Sequence, residues 1–175
     1  MTLVILIAIS MMWFPVGLFF LGTGDGKTCG MISFCVGIIA ALGGIVQGAP
    51  PTANFWDASI LIAFGLLYLV IAHALLWGVE NMKSVGNTSA MLAILCAIYS
   101  VVNFTGSAPA ALAKVAPTPY LGFMFATFTV LLVLVWANCY GKLSGKAVGG
   151  ALIILNFLCL VLPAIGLLAY GWLPF

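Results

Sequence analysis

Apolar runs about twenty residues long alternate with short clusters of Gly, Pro, Asn, Asp and Lys along the whole chain. A helix rises about 1.5 Å per residue, so about 20 apolar residues cross a bilayer core. Six runs reach that length: 2–22, 28–47, 56–78, 88–105, 118–140 and 147–171. A membrane barrel strand would be about ten residues of alternating polarity, whereas these runs are continuously apolar. The pattern predicts an all-α integral membrane protein, a six-transmembrane-helix bundle forming a single transmembrane domain over 1–175.

The interruptions carry turn chemistry: "GTGDGK" (22–27), "QGAPPTANFWD" (47–57), "ENMKSVGN" (80–87), "TGSAPAALAKVAPTP" (105–119) and "GKLSGK" (141–146). Pro lacks an N–H and Gly tolerates turn geometry, so both end helices. Gly26-Lys27-Thr28 resembles the end of a phosphate-binding loop, but the spacing fails. Such a loop needs Gly five positions before Gly26. Leu21 stands there, and Gly22 is one residue too close. The preceding apolar run is also far longer than the strand that such a loop follows. The stretch reads as a turn.

Composition settles the solvent. Of 175 residues, 65 % are hydrophobic and 5 % are charged, and the mean hydropathy is +1.32. A soluble domain carries roughly 25 % charged residues, so lipid must solvate most of this surface. A net charge of +2 gives no reason to expect nucleic acid. The first apolar run has no basic segment before it and reads as a retained helix rather than a cleaved signal. The expected home is a bacterial or archaeal cytoplasmic (inner) membrane. Cys29, Cys35, Cys96, Cys139 and Cys159 form no C-x-x-C pair, which argues against dithiol chemistry and zinc.

The five lysines orient the bundle. Lys27, Lys83, Lys142 and Lys146 fall in the first, third and fifth loops, and Lys114 alone falls in the fourth. By the excess of cytoplasmic lysine, the odd loops face the cytoplasm and both termini lie outside.

Polar side chains inside spans are costly and tend to face a bundle interior or a water path. The candidates are Gln47, Tyr68, His73, Tyr99, Asn103, Thr127, Thr129, Asn138 and Asn156. Gln47, Asn103 and Asn138 lie near span ends and suit caps or anchors. His73 is the only histidine; it suits packing, an interhelical hydrogen bond or a pore role. Asn156 lies deeper and suits either interhelical glue or a polar solute. No Ser-His-carboxylate set, paired acids or cofactor fingerprint is present, so neither an enzyme nor a cofactor is expected. No lysine lies deep in a span, which disfavours an anion transporter. Passive permeation of a neutral solute remains, or a structural or accessory subunit of a larger membrane complex.

The chain resembles the AmiS/UreI family of urea and short-chain amide channels. Residues 17–44, "GLFFLGTGDGKTCGMISFCVGIIAALGG", match its first hairpin. Residues 61–80, "LIAFGLLYLVIAHALLWGVE", match its third helix, and 143–168, "LSGKAVGGALIILNFLCLVLPAIGLL", its basic turn and final helix. The resemblance implies a ring-shaped homo-oligomer, a hexamer, with lipids around it and one path for a small neutral solute through each protomer. It implies that Phe64 and Tyr68 line that path. They are four apart and share a helix face. Counted from Lys146, the family's fifth-helix tryptophan positions fall on Met124, Thr127 and Leu131, with an outer one on Tyr120. A one-turn shift would bring Phe125 or Phe128 there instead. The sixth-helix acid falls on Leu155, beside Asn156, and the family's first-helix Asn is missing near Pro15-Val16. These departures make the path less aromatic and less polar, and shift the expected solute toward acetamide-like, short-chain or other small neutral solutes. His73 is retained as a further path candidate. The outer loops lack histidine and hold only Asp57, so a path without an acid gate is expected.

Overall fold

The computed structural model describes residues 2–51, 53–106 and 117–171. Within them the chain forms α1 (Thr2–Phe20), α2 (Gly26–Gly48), α3 (Phe55–Trp77), α4 (Lys83–Thr105), α5 (Pro119–Cys139), α6 (Gly145–Asn156) and α7 (Leu162–Tyr170). A five-residue π-turn, Phe157–Val161, joins α6 to α7 in one continuous span. Among the described residues six spans are long and apolar enough to cross a membrane, as the pattern predicts. The chain is a multi-pass membrane protein. Lys114 and most of the 105–119 loop lie outside the described residues.

The fourth helix begins at Lys83, five residues before the predicted start at 88. Its first turns are polar, yet hydroxyls there bond back along the helix: Thr88 to Ser84 O at 3.0 Å and Ser89 to Val85 O at 2.9 Å. Hydropathy marks the part of a helix that lipid needs, not the whole hydrogen-bonded helix.

"GTGDGKT" is a helix cap. Gly22 and Gly24 take positive φ, 94° and 121°, where an L side chain is strained. They turn the chain so that Asp25 Oδ2 accepts from the Thr28 backbone N–H and hydroxyl, both at 2.7 Å. A carboxylate thus sits where a phosphate-binding loop would hold its anion. These two bonds hold the Asp25 carboxyl below its ordinary value.

The helices form a closed ring in chain order, with α6 returning to α1. Within it lie three tightly packed antiparallel pairs. On α2, Gly30, Gly37 and Gly44 recur every seven residues and meet Leu76, Gly65 and Ala58 of α3. Gly17 of α1 meets Gly149 of α6. In the third pair, Gly122 of α5 meets the Phe104 ring of α4, and its carbonyl accepts from Ser100 at 2.8 Å. Small residues let helix axes approach closely, and in lipid that contact is a main source of association.

The π-turn has a local cause. Pro163 has no N–H for the Cys159 carbonyl, and its ring crowds that carbonyl, so the helix widens ahead of it. Tyr120 of α5 donates its hydroxyl to Leu158 O at 2.6 Å, and Thr127 Oγ1 lies 3.1 Å from Cys159 Sγ. Helix α5 is therefore pinned to the widened turn by two polar contacts.

Candidate functional site

Three spaces lie in file through the bundle. The first, a wide chamber of about 260 Å³, is at the end where α1 begins and α7 ends. Its walls include Leu6, Gln47, Asp57, Phe64, Met124 and Phe128. The second, a narrow chamber of about 70 Å³, is lined by Trp13, Ser33, Tyr68, Ser89, Phe128 and Leu131, among others. The third is an open cleft of about 490 Å³ at the lysine-bearing end, walled by Glu80, Asn81, Met82, Lys83, Asn138, Cys139 and Gly141. Phe64 and Phe128 belong to both chambers and form the neck between them. Met82, Asn138 and Cys139 belong to both the narrow chamber and the cleft.

The neck is built from the helices upward. Phe64 and Phe128 are each the tenth residue of their helix. At 1.5 Å per residue both lie about 14 Å from the helix start, near mid-membrane. Their rings meet edge to face at 5.7 Å, and Trp13 of α1 meets Phe128 the same way at 5.2 Å. Aromatic rings favour this arrangement because a positive edge meets a negative face. Below the neck, the Trp13 indole N–H donates to Tyr68 Oη at 3.3 Å. Ser33 and Ser89 are fully buried, and their hydroxyls bond back to Cys29 O and Val85 O.

Each expected path residue has a definite place. Phe64, Tyr68, Met124 and Leu131 are in chamber walls. Tyr120, Thr127 and Asn156 are outside the walls of the three spaces. Tyr120 and Thr127 hold the π-turn. Asn156 is buried at the depth of the neck, one turn from Leu152 of the narrow chamber and one from Leu160 of the wide one, and its Oδ1 has no partner. His73 faces outward and stacks on Trp77, with ring centroids 5.0 Å apart.

Sequence reasoning did not single out Trp13, Ser33 or Ser89. The signal for Trp13 was its position: it is the one tryptophan within the first span. Asn103 bonds back along α4 to Tyr99 O at 2.8 Å, and Asn138 bonds the following loop at Leu143 O, 2.9 Å. At the lysine end, Lys142 Nζ lies 4.8 Å from the Trp136 ring centroid, a cation–π contact suited to the membrane interface.

A bundle of six membrane spans with a file of mostly apolar chambers has the architecture of an α-helical membrane transporter. The chain belongs to the AmiS/UreI family of transporters, whose sequence profile it matches over residues 1–170. Its fold is that of the urea channel of Helicobacter pylori. The closed-state cryo-EM structure of that channel superposes with a TM-score of 0.81 at 18 % identity, covering 99 % of this chain and 100 % of the other. The crystal structure of the channel gives 0.82 at 19 % identity, with the same coverage. A search of curated proteins finds no match.

Proposed function

We propose that this chain is a passive membrane channel for small neutral solutes, urea or short-chain amides. The observation that carries the reading is the file of three spaces joined at an aromatic neck. A flat amide can pack against the faces of these rings, and the Tyr68 hydroxyl and the Ser33 and Ser89 oxygens in the narrow chamber below the neck replace lost water. The walls of the two chambers carry one ionisable carboxylate, Asp57, among the described residues, too few to couple transport to protons or sodium. Membership of a transporter family and the fold shared with a urea channel support the same reading.

In this reading Phe64, Tyr68, Met124 and Leu131 line the path, with Trp13 and Phe128. Tyr120, Thr127 and Asn156 support it from behind. The lysine-bearing end faces the cytoplasm and both termini face out. The protomers form a hexameric ring in a bacterial or archaeal inner membrane, and the path has no acid gate.

The test is stopped-flow light scattering on proteoliposomes, following re-swelling with urea, acetamide and glycerol against empty liposomes. Faster re-swelling with an amide, equal at acidic and neutral pH, is expected. No increase for any solute with folded protein would overturn the reading. A large increase only in acid would overturn the ungated path.

A further inference from the structure

The wide chamber is apolar except at one end. There Gln47 and Asp57 are the two polar side chains in its described lining. Gln47 Oε1 is buried without a hydrogen-bond partner. Asp57 uses Oδ2 to accept from Asn54 Nδ2 at 2.8 Å, which leaves Oδ1 for another donor.

Asn54 organises both residues. Its backbone N–H donates to Gln47 O at 2.8 Å, and its side-chain oxygen caps the Asp57 N–H at 3.1 Å. The loop thus ties the last turn of α2 to the first turn of α3.

We propose that Gln47 and Asp57 form a two-acceptor binding site for the N–H groups of a primary amide or urea, ahead of the neck. The proposal rests on the channel reading and names what the mouth selects. An unpaired buried acceptor is costly until a donor arrives. The free Gln47 Oε1 and Asp57 Oδ1 reward solutes that bring N–H donors, and the Asp57 carboxylate repels anions. The rest of the chamber is Ile, Leu, Met and Phe, which hold a small carbon skeleton. They give a metal cation no further oxygen ligands, and hard cations need six or more.

The test compares acetamide with N,N-dimethylacetamide, which lacks N–H, in proteoliposomes. The wild type is expected to favour acetamide. Gln47→Leu should lower the acetamide-to-dimethylacetamide permeability ratio about tenfold, the factor one hydrogen bond supports. Gln47→Leu removes an unpaired buried acceptor, so folding is not at risk. Asp57→Asn can keep the Asn54 contact only by turning the free Oδ1 acceptor into an NH2 donor, and should lower the ratio as well. A ratio unchanged by Gln47→Leu overturns the site. Should the wild type pass no solute, the channel reading falls alone. The site then stands or falls on whether acetamide raises the melting temperature of the wild type but not of Gln47→Leu.

Discussion

Gly65→Ala tests how α2 and α3 are held and, through them, the neck. A Cβ placed on Gly65 would lie 2.7 Å from Ala41 N, 2.9 Å from Gly37 O and 3.0 Å from Ala41 Cβ. Two of these atoms are main chain and cannot rotate aside. Relaxed contacts of this kind sit near 3.5 Å, so the helices must part by about 0.5–1 Å. Overpacking of this order costs about 1–3 kcal/mol. The better helix propensity of Ala offsets up to about 1 kcal/mol of that. A net loss of about 1–2 kcal/mol corresponds to a fall of about 2–8 °C in a protein of this size. Gly150→Ala is the control, because nothing lies within 4 Å of a Cβ there; it should leave the melting temperature unchanged or raise it. Thermal unfolding in detergent reads both variants. Since Gly65 adjoins Phe64, its variant should also change amide permeability in proteoliposomes. If Gly65→Ala melts at or above the wild type, or shifts as Gly150→Ala does, the close approach of α2 and α3 is not what holds the pair.

Three further outcomes are expected. Tyr68→Phe leaves the buried Trp13 N–H without its acceptor and should cost about 1–3 kcal/mol, with reduced acetamide permeability; wild-type values for both would count against the hydroxyl's role. His73→Ala should preserve permeability, because His73 faces away from the chambers; a loss matching that of Tyr68→Phe would contradict this. The Asp25 carboxyl is held below its ordinary 3.8 by bonds from Thr28. Its stabilisation is therefore full above that value and lost as pH falls through the depressed one. Asp25→Asn should flatten the acid limb of the stability profile, and superimposable acid limbs would refute the linkage.

Much of the architecture was legible because lipid imposes a simple rule on sequence. A run either is apolar enough to span or it is not, and six were. The four-residue spacing of Phe64 and Tyr68 announced a shared face. The fifth helix was harder. Counting from Lys146 assumes regular helices on both sides of the turn, and nothing in the sequence states which face of α5 meets the bundle axis. Phe128, at the neck, is one residue from Thr127, which turns toward Cys159. The π-turn that engages Tyr120 and Thr127 is a backbone event with Pro163 as its only visible cause. Trp13 was overlooked because a tryptophan in an apolar run carries no periodic signal. Gln47 read as an anchor because burial of its oxygen depends on the α2–α3 loop folding back over it.

The three antiparallel pairs meet at the neck, and each contributes to it: Trp13 from the pair of α1 and α6, Phe64 from α2 and α3, Phe128 from α4 and α5. Each pair packs as a leaf, closest in α2 and α3, where small residues meet backbone along the length, and the seams between leaves are looser. An aperture made this way is expected to widen as an iris does. Small tilts of whole leaves separate the aromatic rings, and no helix has to unwind in the membrane. Spin labels would read it: with acetamide present, distances between leaves should change while distances within a leaf stay fixed. A change confined to one leaf would rule the mechanism out. A three-leaf aperture also divides its inheritance, since a substitution inside a leaf alters strength and one on a seam alters the width of the opening.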